Sequence, residues 1–264
     1  MMLYARFVAF LRASLPDSLF VLLSKVRRAT RRRLPDSPVF IEQIAGKRGL
    51  EVGGPSSLFR AELPLYEVVA ELDGVNFAGE TMWEGRLKTG RNFRFIENRS
   101  GEQFIAEATE LAPIADGQYE ILLSSNCLEH VANPLKALRE WGRVLKPGGV
   151  MVLAVPRKEN NFDHRRPVTT LEHLLQDEEQ QVTEHDMTHL DEILALHDLA
   201  LDPDAGSAED FRARSLKNFS NRGLHHHVFD LELAKGVVTA AGFDVLYSTS
   251  ASRDHIVMAR KSCR

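Results

Sequence analysis

From about residue 39 onward, short apolar runs alternate with amphipathic stretches, the pattern of strands and helices taken in turn. The run at 48–52 ends in Gly53-Gly54-Pro55 and predicts a strand entering a sharp turn. EVVAEL at 67–72, closed by Asp73-Gly74, predicts a second strand, and 103–106 and YEILLS at 119–124 predict two more. The run ILL within YEILLS is continuous, as in a strand buried on both faces of a parallel sheet. The clearest helix comes next: Asn133 can cap it, Pro134 suits its first position, and Leu135, Leu138 and Leu145 share a face. Lys146-Pro147-Gly148-Gly149 stops it, and VMVLAV at 150–155 is another wholly apolar strand. Strand, helix, turn and strand make a βαβ unit with a right-handed crossover. A helix near 230–241 and the runs FDVLYS and HIVMAR, placed to pair antiparallel, close the chain.

Two segments stand outside this alternation. Residues 157–228 are polar and hold eight of the ten histidines; they predict an insertion over the open edge where α/β sheets bind ligands. Residues 1–38 predict a basic arm of short amphipathic helices, broken at Leu15-Pro16-Asp17 and ended by LPDSP. Up to residue 35 the arm has eight Lys or Arg against one acid, +7, so the chain's −4 leaves −11 for the remainder. An acidic body argues against nucleic acid as a partner. The arm's apolar runs beside RRATRRR suit peripheral contact with an anionic membrane, or equally docking onto the body or a second subunit. With 264 residues, 44% hydrophobic and 27% charged, the chain is neither disordered nor low-complexity. Cys127 and Cys263 cannot build a disulfide framework, and no signal-peptide pattern is seen, so a cytoplasmic setting is expected, with peripheral contact at the inner membrane face.

The turn GLEVGGPSS at 49–57 aims backbone N–H groups at a ligand. It lacks the Gly-x-Gly-x-x-Gly order of nicotinamide sites, yet Asp73 stands 20 residues after Gly53, where a carboxylate can accept both ribose hydroxyls. The plainer alternative is a tight turn and a surface acid. Residues 119–156, with Leu128-Glu129-His130 and Leu145-Lys146-Pro147-Gly148-Gly149, resemble the class I S-adenosylmethionine-dependent methyltransferases, type-11 branch. The resemblance extends loosely over 45–156 and 225–260. It implies an α/β fold, a Rossmann-like seven-stranded mostly parallel sheet with helices on both faces, plus a helical or loop insertion as a cap. It implies S-adenosylmethionine as cofactor, with Glu51 at its methionine part, Gly53 and Gly54 as close-approach glycines, and Asp73 on the ribose. Glu107 and Ala108 would meet the adenine amino group, and Ser125 and Asn126 open onto the cofactor. Two residues depart from the family pattern: Pro55 replaces a small residue, and Pro64 leaves room only for a short first helix.

The expected reaction is methyl transfer to oxygen or nitrogen of a small-molecule or glycan acceptor, in polysaccharide or lipid-linked glycan biosynthesis. A catalytically silent cofactor-binding accessory protein is the alternative. An oxygen acceptor needs a base. His164, in NFDHRRPVTT, is the candidate, against a loop histidine that caps a helix; His130 is read as structural or cofactor-shell. Arg157, Lys158, Arg165 and Arg166 suggest a basic mouth, and Trp83 a platform for a sugar ring or a residue buried under its loop. His185 and His189, at i and i+4, read as a solvated helix face, and no metal site is assigned. His225-His226-His227 is either a strand edge near the acceptor or a solvated run.

Overall fold

The computed structural model describes residues 33–202, 204–251 and 253–263; the basic arm up to residue 32 lies outside the described residues. The body opens on α1 (Ser37–Ile44), two residues before the expected start. Eight strands then form one sheet: β1 (Arg48–Val52), β2 (Glu71–Asn76), β5 (Gly90–Ile96), β6 (Arg99–Ile105), β7 (Tyr119–Ser125), β8 (Leu145–Pro156), β9 (Phe243–Ser250) and β10 (Asp254–Lys261). A two-stranded ribbon, β3 (Glu80–Thr81) with β4 (Gly85–Arg86), stands apart. The order is β5-β6-β2-β1-β7-β8-β10-β9, with β6, β2, β1, β7 and β8 parallel and β5 and β10 antiparallel to their neighbours.

The sheet therefore has one strand more than the seven expected. The addition is β5, whose arginines hide its two-residue period; only Phe93 and Phe95 turn inward. A second difference lies in β2. The apolar run EVV had predicted a strand over 67–72, but Leu65–Glu67 forms a 3₁₀ turn after Pro64, with Val68 and Val69 N–H both donating to the Leu65 carbonyl. The strand starts four residues later, which moves Asp73 from the strand's end to its middle, paired in register with Leu50.

Helix α2 (Pro134–Val144) is built as its sequence indicates: the Asn133 side chain accepts from Lys136 N–H at 3.0 Å, and Leu135, Leu138 and Trp141 are buried. Leu145 does not extend that face; it is already extended and begins β8. Near the C-terminus, α7 (Leu231–Ala240) is capped by Asp230, which accepts from Leu233 N–H at 2.7 Å. Both sheet faces are apolar: Leu50, Val52 and Leu122 pack with α2 and α7, while Ile121, Leu123 and Leu72 pack with Phe40 of α1, Tyr66 and Met258. The insertion carries α3 (Leu171–Glu179), α4 (Leu190–Leu196), α5 (Ala208–Ser215) and α6 (Asn218–Asn221). It has a small core of its own, Ile193, Ala205, Phe211 and Leu224. Among the described residues, no helix is long and apolar enough to cross a membrane.

Mid-strand Asp73 is a cross-sheet tie. Its carboxylate accepts from Arg48 at 3.0 Å, from the Tyr119 hydroxyl at 2.8 Å and from Glu102 N–H at 2.9 Å. Asp73→Ala leaves the last two donors without an acceptor inside the sheet. The substitution is expected to lower unfolding free energy by about 2–4 kcal/mol, the Arg48 contact counting little because that side chain is part-exposed. Urea denaturation checks this as a fall in midpoint at constant slope.

Candidate active site

The five parallel strands all end at one edge, and the residues at or just past each end line one cavity of about 620 Å³: Gly53 after β1, Phe77 after β2, Glu107 after β6, Asn126 after β7 and Arg157 after β8. That volume lies within the roughly 300–1,000 Å³ that encloses a small organic ligand. The insertion supplies the opposite wall, through Phe162, Glu184, Arg214, Arg222 and His225. Seven carboxylates and four guanidiniums line the cavity, so its wall is net anionic and suits a cationic ligand.

The glycine turn is packed so that only glycine fits at two places. Gly53 has φ +78°, and a Cβ there would lie 2.7 Å from the Cys127 sulfur. At Gly54 a Cβ would lie 2.2 Å from the Glu51 carboxyl carbon. Glu51 sits beneath the turn, fully buried, accepting from Ser56 N–H at 3.0 Å and from the Tyr66 hydroxyl at 2.6–2.8 Å. Burial raises its pKa to about 7, against the opposing pull of those hydrogen bonds. Pro64 has the anticipated consequence: the glycine turn leads only into a single π-helical turn, Leu58–Glu62. Burial pushes the Cys127 thiol up to about 12.

Of the residues singled out in the sequence, Gly53, Glu107, Ala108, Ser125 and Asn126 line the cavity, whereas Glu51, beneath the turn, and Gly54, within it, do not. Glu107 is held by Arg222 at 2.6 Å. Asp73 is absent from the wall, because the later start of β2 buries it among strands; Asn76 stands at the strand end instead, donating to the Gly54 carbonyl at 3.0 Å. His164 is absent too: its Nε2 lies 2.9 Å from Asp198, which also accepts from Arg165, and none of the three is part of the cavity lining. Of the expected basic mouth, Arg157 lines the cavity, whereas Arg166 is 1% exposed and bonded to Glu192, Asp163 and the carbonyls of His225 and His226. Residues 185–189 are turns, not a helix face; His185 stacks on Phe219 and His189 turns toward His173. Trp83 is 46% exposed on the cavity rim, its ring 5.0 Å from that of His130.

A functional residue that sequence reasoning passes over is Glu129. Its side chain is 1% exposed at the cavity wall, and neither carboxylate oxygen has a hydrogen-bond partner. His130 Nε2 stands 3.9 Å away, while that ring's Nδ1 faces the Leu224 carbonyl at 3.0 Å. His225 completes the group, its Nδ1 bonded to Asp163. Burial raises Glu129 to about 7 and lowers His130. Burial also draws His225 down, but Asp163 more than offsets it and the net shift is upward. One ligand atom from each of Glu129, His130 and His225 falls within 4.8 Å of the others. With His225 tilted toward its cationic form, this cluster suits a mobile proton better than a metal ion. The only sequence signal for it was Leu-Glu-His, whose partner His225 lies 95 residues away from His130.

The family described as a methyltransferase domain matches residues 50–153. An uncharacterised methyltransferase of Mycolicibacterium gilvum is 47% identical over 57 residues, 22% of this chain and 22% of that protein. A ubiquinone biosynthesis O-methyltransferase of Pseudomonas aeruginosa is 28% identical over 111 residues, 42% of this chain and 45% of that protein. The chain thus spans less than half the length of these curated relatives. The crystal structure of an S-adenosylmethionine-dependent methyltransferase from Mesorhizobium loti has the same fold, with a TM-score of 0.50 at 14% identity over 86% of this chain and 96% of that one.

Glu51 and Glu129 are both protonated more readily in the folded chain than in the unfolded one. The folded state therefore binds the extra protons between the ordinary carboxyl range and about pH 7, and stability falls as pH rises through that window. Each group contributes a loss of up to roughly 3 kcal/mol. Urea unfolding measured from pH 5 to 8 should show this decline, and Glu51→Gln or Glu129→Gln should each flatten part of it.

Proposed function

We propose that the protein is a class I S-adenosylmethionine-dependent methyltransferase, its residues 50–153 matching the methyltransferase-domain family, and that it methylates an oxygen of a small polyhydroxylated acceptor, with Glu129 as the general base. The observation that carries this reading is the Glu129 carboxylate: buried, without a hydrogen-bond partner and on the wall of the cavity into which the glycine turn and the strand ends open. An unpaired buried acid is costly to keep. Its raised pKa matches what general-base catalysis near neutral pH needs.

The cofactor of this domain is S-adenosylmethionine, which supplies a methyl group already activated by a sulfonium. The residues present fit it. The close packing at Gly53 leaves its backbone as the cavity surface, and the net anionic wall suits the sulfonium charge. Gly53, Ser125 and Asn126 would hold the methionine side, Asn76 the ribose in place of Asp73, and Glu107 with Ala108 the adenine. The chain's own part in the reaction is then positioning and proton uptake. Glu129 would accept the acceptor's hydroxyl proton as the oxygen attacks, with His225 beside it, whose pKa Asp163 raises, favouring the ionised carboxylate between turnovers. Oxygen is favoured over nitrogen because a neutral amine needs no such base.

The rim supports a sugar-like acceptor. Trp83 offers an exposed flat face, and Asp202, Arg214 and Arg222 offer donors and acceptors on the facing wall. In this reading the basic arm would hold the enzyme at an anionic surface carrying lipid-linked glycans.

Incubation with methyl-labelled cofactor and fractionated cell extract should label a small glycan-like product; a protein that binds cofactor yet labels nothing is an accessory protein. Glu129→Gln is expected to lower kcat by about 10²–10⁴ while leaving cofactor affinity within about twofold. The wild-type kcat should rise with pH through about 7, and the variant should lose that rise. Calorimetry should show Asn76→Ala weakening S-adenosylmethionine by about 1–2 kcal/mol, with Asp73→Asn leaving it unchanged.

A further inference from the structure

We infer that the protein binds one zinc ion away from the catalytic cavity, on His173, Asp177, His189 and His227. The first two lie one turn apart on α3, His189 precedes α4, and His227 belongs to the segment leading into α7. His173 Nε2 is 3.0 Å from His189 Nε2. The Asp177 Oδ2 atom is 3.5 Å from His173 Nε2 and 3.7 Å from His227 Nε2. Ligand atoms held about 2.0–2.1 Å from a tetrahedral zinc stand about 3.3–3.4 Å from one another; the separations of 3.0, 3.5 and 3.7 Å bracket that value, and the ligand nitrogens of the three histidines all lie within 4.8 Å of one another.

The hydrogen bonding around the four residues is incomplete in a way that a cation would repair. Two imidazole nitrogens facing each other at 3.0 Å can share one proton at most. The buried Asp177 Oδ2 accepts no hydrogen bond, although its neighbours are ring nitrogens. His227 is 1% exposed, and its Nε2, the atom nearest Asp177, donates to the Ala132 carbonyl at 3.2 Å, a proton that zinc would displace. Three nitrogens and one carboxylate oxygen favour zinc over magnesium or calcium, which prefer oxygen ligands.

With four protein ligands the site is closed, and its role is structural. It would clamp α3, the turn before α4 and the 225–229 segment together. His225 and Glu184, on the cavity wall, are borne by the clamped segments, so the metal would fix the acceptor side of the active site.

The test uses the full chain without a histidine tag, loaded with zinc alone, desalted and analysed by atomic emission. One zinc per chain is expected. His189→Ala and Asp177→Asn should each lose it, and Glu129→Gln should keep it. Because a misfolded variant would lose metal trivially, the variants must match the parent by circular dichroism. The cobalt-loaded parent gives an independent reading, intense visible bands for tetrahedral coordination being expected. No retained zinc, pale octahedral cobalt bands, or zinc lost from Glu129→Gln but kept by His189→Ala would each overturn the inference.

Discussion

The constraint on which the molecule rests is a sheet that is apolar on both faces. Leu50, Val52 and Leu122 on one side, and Leu72, Ile121 and Leu123 on the other, are buried under helices and loops, so neither face has room for unpaired polar chemistry. Polar side chains gather where the covering layers stop, at the C-terminal ends of five parallel strands. The cavity residues supplied by the parallel strands lie at or beside these ends, joined by Asp254 at the start of the antiparallel β10. Asp73, a buried acid in the middle of β2, is tolerated because Arg48, Tyr119 and the Glu102 amide satisfy it.

The insertion covers this edge with little apolar core of its own, four residues, and depends on polar ties to stay in place. Arg166 is the hub of one set, buried and joined to Asp163, Glu192 and the backbone of His225 and His226. Asn133 joins a second, capping α2 with its oxygen while its amide nitrogen donates to the Asp177 carbonyl at 3.1 Å. Catalytic and covering parts are thus coupled through shared side chains: the segment that presents His225 to the cavity is the one Arg166 grips. Buried charges of this kind do more for specifying one arrangement than for net stability, because desolvation consumes much of their attraction.

Much of the fold was legible because it rests on local signals. The Asn133 cap, the Pro134 start, the continuous apolar runs of β7 and β8 and the Asp230-capped last helix all appear where sequence placed them. The misses also have local causes. A β-branched pair after Pro64 looked like strand but was drawn into a 3₁₀ turn, and the four-residue slip carried Asp73 out of the site. The arginines of β5 masked two inward phenylalanines. His164 looked catalytic by its sequence neighbours Asp163, Arg165 and Arg166, yet its ring pairs with Asp198, 34 residues on, and is not part of the cavity lining.

The sequence by itself determined the α/β alternation, the βαβ unit, the glycine turn and the position of the insertion, since each depends on residues within one or two turns of chain. Tertiary structure alone decided which histidines matter. His130 and His225 meet across 95 residues of sequence, and His173, Asp177, His189 and His227 converge from three separate segments. His185, matched to His189 by spacing, stacks instead on Phe219. Spacing along a chain specifies partners only where the backbone is a regular helix or strand, and residues 185–189 are neither; there the partners are set by which loops the core brings together.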